Sequence, residues 1–100
     1  MKRVVAFVPD LMDRSRVASA GPVEFVGSAA DLPDAAAGAD LVIVDLSRPG
    51  VLEVLPDIGA PTVGFGSHVD RALLAAAADA GCQQVLPRSA FFSRLPDLLV

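Results

Sequence analysis

Apolar residues fall into short blocks along the chain, each closed by charged or turn-forming residues. Val4–Val8 is a continuous apolar run that Pro9 stops. A run without polar alternation is what a strand covered on both faces needs. Strands are also predicted over Val23–Val26, Leu41–Val44, Pro61–Phe65 and Cys82–Leu86. Leu41–Val44, held between Asp40 and Asp45, is the clearest of them.

Between these runs the signals become helical. Asp10 is placed to cap a helix over Leu11–Ala20, Asp13 sits favourably in its first turn, and Gly21-Pro22 stops it. Gly27–Ala39 offers Ser28 and Asp34 as caps, but Pro33 and Gly38 leave room for only a turn or two. Ser47-Arg48-Pro49-Gly50 is turn chemistry, followed by one or two helical turns over Val51–Leu55 before Pro56. Ser67 and Asp70 resemble a capping box that opens a helix over His68–Ala80, with Val69, Leu73, Ala76 and Ala80 on one stripe and Gly81 at its end. Ser89 is the expected cap of a last segment, Ala90–Val100, in which Pro96 must kink or restart the helix. Strands alternating with helices predict an α/β three-layer sandwich with a five-stranded parallel sheet. No internal repeat or low-complexity tract interrupts it.

Composition narrows the function classes. One hundred residues are expected to form a single domain over 1–100. A net charge of −4 and a pI near 4.6 argue against a partner with a phosphate backbone, so no nucleic acid is expected. Hydrophobic residues at 53% place the chain far from disorder. Met1-Lys2-Arg3 before Val4–Val8 superficially looks like a signal peptide, but the apolar run is too short for one. No stretch approaches the roughly 18 apolar residues of a membrane span, so no membrane partner is expected either. A lone cysteine, Cys82, makes neither an internal disulfide nor a zinc site, and a reducing cytoplasm suits it. It reads as a small buried hydrophobe.

In an open parallel sheet, function gathers beyond the carboxyl ends of the strands. Those ends carry Pro9-Asp10, Asp45, Gly66-Ser67 and Arg88. The stretch Asp40-Leu-Val-Ile-Val-Asp45-Leu-Ser-Arg-Pro49-Gly50 closely resembles the third strand and following loop of receiver domains from two-component response regulators. Ala80-Gly81-Cys82 and Val85-Leu86-Pro87-Arg88 continue the similarity in the right order. The resemblance implies a flavodoxin-like, receiver-like fold with shortened second and third helices. It implies Asp45 as phosphoacceptor, Ser67 and Arg88 as phosphoryl contacts, and Mg²⁺ held weakly by Asp10 and Asp45.

Several positions depart from the receiver pattern. Pro9-Asp10 keeps one carboxylate where receivers show two acids after the first strand. Gly66 stands where they carry Thr or Ser, with Ser67 one place late. Arg88 replaces a Lys, Ser89 the following Pro, and Val85 the aromatic switch residue. Arg88 retains the charge but as a planar fork rather than a compact ammonium. Taken residue by residue, Asp45 also suits a turn acceptor, Asp10 a helix cap, and Arg88 a simple ion-pair partner.

Gly64–His68 follows a strand and opens a helix, the setting of a phosphate loop, although Val69 occupies the position where a dinucleotide fingerprint needs glycine. The steric alternative is that these glycines let the strand end turn beneath a neighbouring loop. His68, the only histidine, suits a surface position beside a cap, and Phe91 and Phe92 are expected to anchor the last helix on the sheet. The expected function is a stand-alone, atypical response-regulator-like signalling or protein-interaction module, not an enzyme, whose action need not depend on phosphorylation. Its partners are a kinase, a downstream signalling protein or a second copy. The alternative is a small anion- or nucleotide-sensing domain built on Gly64–His68 and Arg88.

Overall fold

A computed structural model of the chain describes residues 2–100. Five strands, β1 (Val4–Phe7), β2 (Glu24–Phe25), β3 (Leu41–Asp45), β4 (Thr62–Gly66) and β5 (Gln84–Pro87), form one parallel sheet in the order β2-β1-β3-β4-β5. Helices α1 (Leu11–Ala20), α2 (Leu32–Ala35), α3 (Val51–Val54), α4 (Arg71–Asp79) and α5 (Arg88–Leu98) connect or follow them. The strand order reverses between β1 and β3, where Val4 to Phe7 pair with Leu41 to Val44. The second and third helices are a single turn each, as Pro33 and Pro56 require.

The sheet separates two cores by the two-residue period of its strands. Val4, Ala6, Val8, Leu41, Ile43, Val63 and Phe65 face α1 and α5, meeting Val17, Phe91 and Leu95. Val5, Phe7, Val42 and Val44 face the other way, against Leu32, Ala36, Val51, Leu55 and Ala77. This is the three-layer sandwich expected from the continuous apolar strands. The first core is closed by aromatic packing: Phe65 stacks on Phe91 at 4.4 Å between centroids, and Phe92 meets both rings edge-on.

Three local expectations change. α4 starts at Arg71 rather than His68, because Asp70 itself is the cap and accepts the Leu73 N–H at 3.2 Å. Val69 therefore lies before the helix and is 74% exposed; Ala77, with Leu73 and Leu74 beside it, carries the inward face. α5 starts at Arg88, one residue before the expected Ser89 cap, with Pro87 at the capping position. It also runs through Pro96, whose missing N–H falls in the last turn, and Leu99 N–H closes the end on the Leu95 carbonyl. Ser28 occupies its capping position without making a side-chain bond.

Gly64 is fixed by packing rather than by turning. A Cβ there would lie 2.6 Å from Leu46 Cδ2, so the Leu46 side chain rests directly on the β4 backbone. Among the described residues no helix is long and apolar enough to cross a membrane.

Candidate functional site

The carboxyl edge of β1, β3, β4 and β5 brings Asp10, Asp45, Ser67 and Arg88 to the same end of the sheet, the end opened by the switch in strand order. Each of these side chains is already engaged, Asp10, Asp45 and Ser67 by near neighbours in sequence and Arg88 by a distant one. Asp10 caps α1, accepting the Asp13 N–H on Oδ1 at 3.0 Å. Ser67 Oγ accepts the Val69 N–H at 3.4 Å in a short turn, and His68 beside it is exposed.

Asp45 ends β3 and is only 3% exposed. Its Oδ1 accepts the backbone N–H of Ser47 at 3.0 Å and the Ser47 hydroxyl at 2.6 Å. Its Oδ2 accepts from Arg48 Nε at 3.4 Å. The carboxylate thus folds its own loop back over itself, which is the turn-forming use of an aspartate. Leu46, seated on Gly64, pins the backbone immediately after it.

Arg88 does not pair with Asp45. Its two terminal nitrogens donate to both oxygens of Asp13, at 2.9 and 2.6 Å. Asp13 is 5% exposed, so the pair is a bidentate bridge to a buried carboxylate, the geometry in which a guanidinium is most selective. These bonds raise the Arg88 pKa from its ordinary value; burial opposes them, and the charges of Asp13, Asp45 and Asp10 add to the rise. Arg88 is therefore a fixed cation in the field of three acids. Among the described residues every buried side-chain nitrogen or oxygen has a hydrogen-bond partner.

Asp13 stands in the first turn of α1 as expected, but its bridge to Arg88 is the part that sequence reasoning missed. The signal was present: Asp13 lies one turn before Val17, on the stripe that faces the sheet, and a carboxylate there needs a cation. Among the described residues no three His, Cys, Asp or Glu side chains gather closely enough to hold a metal ion.

No protein-family model matches the sequence, and neither does any curated protein. Solved structures do match over almost the whole chain. A response regulator from Hahella chejuensis superposes with a TM-score of 0.81 at 20% identity, covering 99% of this chain and 92% of that one. The signal receiver domain of the response regulator NarL from Mycobacterium tuberculosis gives 0.76 at 16% identity, over 97% and 91% of the two chains. A pilus assembly protein, CpaE, from Burkholderia thailandensis gives 0.69 at 19% identity, over 99% and 95%. With the strand order and the short middle helices, these likenesses establish the fold: the chain is built as a flavodoxin-like, receiver-type α/β domain.

Proposed function

We propose that this chain is a signalling or protein-interaction module of the response-regulator type that works without phosphorylation, in a cytoplasmic setting and with no catalytic turnover of its own. The observation that carries this reading is the bidentate Asp13–Arg88 bridge. Phosphoryl transfer to an aspartate needs an accessible carboxylate, neighbouring acids that share a metal, and a cation free to meet the transferred oxygens. Here the cation is already held by an internal carboxylate, and the Asp45 oxygens are held by Ser47 and Arg48.

The donor set does not suit Mg²⁺. That ion prefers octahedral oxygen coordination with one or two carboxylates open to it. Asp10 spends one oxygen on its helix cap, and Asp45 would have to surrender its turn. A module of this kind acts by presenting a fixed surface to a protein partner or a second copy. The occurrence of the fold in a pilus assembly protein as well as in regulators agrees with that use.

The test is a two-dimensional amide NMR titration with Mg²⁺ and beryllofluoride, a phosphoryl mimic, beside Asp45→Asn. An unchanged spectrum is expected. Saturable shifts around Asp45, Gly66–His68 and Arg88 that disappear in Asp45→Asn would overturn the reading.

A further inference from the structure

The seam between α1 and α5 opens into a cavity of about 550 Å³ lined by Arg16, Arg88, Ser89, Phe92 and Ser93. Arg16 sits 3.7 Å over the Phe92 ring and pairs with no carboxylate among the described residues. A guanidinium held face-on to a ring keeps its N–H donors at its edge, available to an acceptor. Phe92 is in turn fixed by Phe65 and Phe91, at 5.5 and 4.9 Å between centroids, so the platform is rigid.

Arg88 lies 5.5 Å from the same ring, and Asp13 takes only its two terminal nitrogens, leaving Nε–H outside that bridge. Ser89 and Ser93 stand one turn apart on α5 and are exposed. The cavity therefore sets the stacked Arg16 guanidinium, the Arg88 Nε–H and two hydroxyls around one space; Asp13 already answers the Arg88 charge, so Arg16 supplies the cation that is unpaired among the described residues. Donors arranged from several sides fit a tetrahedral oxyanion better than a planar carboxylate.

We propose that this α1–α5 cavity binds a phosphate group, as inorganic phosphate or as a small phosphomonoester. Its lining residues do not include Asp45, although the Asp45 charge acts on Arg88. Ordering costs are low because Arg16 is already stacked, which favours binding without rearrangement.

The experiment is an amide NMR titration of the whole chain with inorganic phosphate, phosphoserine and, in a separate arm, acetate. Saturable shifts at Arg16, Ser89 and Ser93 with a dissociation constant of roughly 1 mM or tighter are expected for the phosphates, and weaker ones for acetate. Arg16→Gln should weaken phosphate binding by about tenfold, whereas Asp45→Asn, which removes a nearby negative charge, should not weaken it. Tighter binding of phosphoserine than of phosphate assigns the ester; equal binding assigns the free ion. Non-saturating shifts, an acetate response equal to that of phosphate, or undiminished binding in Arg16→Gln would overturn the proposal. If Arg16→Gln fails to fold, Ser93→Ala decides: unchanged affinity in that variant also overturns it.

Discussion

At the amino edge of the sheet, Arg3 spreads its donors over separate acceptors. Nε donates to Glu24 at 2.8 Å, and the terminal nitrogens donate to the carbonyls of Ala37 and Ala35 at 2.9 and 3.0 Å. Its own N–H meets Asp40 at 2.7 Å. At the carboxyl edge, Arg88 concentrates both terminal nitrogens on one buried acid. All four Arg3 bonds are exposed to solvent, so water replaces any of them. Water cannot reach Asp13 in the same way. The arginine with fewer bonds is therefore the one whose loss leaves more behind: a rehydrated surface for Arg3, a stranded carboxylate for Arg88.

Arg88→Ala is the largest break to make in that contrast. It should cost about 2–4 kcal/mol in urea unfolding, less than for a fully enclosed pair because Arg88 is itself 44% exposed. Arg88→Lys should recover only part of this, since an ammonium does not fork across two oxygens. Gly64→Ala comes next, at about 1–3 kcal/mol, because the added methyl must displace Leu46; the companion Leu46→Ala in the same chain should relieve the clash. Arg3→Ala should cost no more than about 1 kcal/mol and lose most of that effect in high salt. A cost equal to that of Arg88→Ala would end the distinction between the edges.

The smallest effect concerns Cys82, whose Sγ contacts the Thr62 and Gln84 carbonyls. Burial pushes its pKa up, against smaller lowering effects of backbone hydrogen bonds from Gly64 and Gln84. The protonated thiol is thus favoured by folding. Its contribution is complete below the unfolded thiol's pKa and is lost as pH rises through the folded one. Thermal melts should fall slightly in mildly alkaline buffer, and Cys82→Ala should remove that slope. A thiol reagent should label the native chain slowly.

The sheet was legible because its strands are read from composition alone: Val4–Val8 and Leu41–Val44 contain no polar residue, and only a doubly covered strand tolerates that. Helix ends were less legible where two capping residues compete. Asp70 won over Ser67, and the helix moved three residues, taking Val69 out of the core. The edge residues Asp10, Asp45, Ser67 and Arg88 were visible as strand-end polar groups, but their partnerships were not. Asp13 and Arg88 are 75 residues apart, and a first-turn position alone does not distinguish a carboxylate that answers a helix dipole from one that points inward. Only the registry with Val17 carries that information. The aromatic anchoring of α5 was read correctly from Phe91 and Phe92, and Phe65 completed the cluster from the other side of the fold.

That cluster gives the molecule a built-in optical probe. The chain has neither tryptophan nor tyrosine, and three of its five phenylalanines are Phe65, Phe91 and Phe92. Near-ultraviolet circular dichroism, usually dominated by the larger aromatic chromophores, is left to the five phenylalanines, of which these three are in mutual contact. The cluster's share of its fine structure reports the docking of the last helix on the fourth strand, without a label. Comparing its loss with the loss of far-ultraviolet signal during unfolding would show whether that helix leaves before the sheet dissolves or with it.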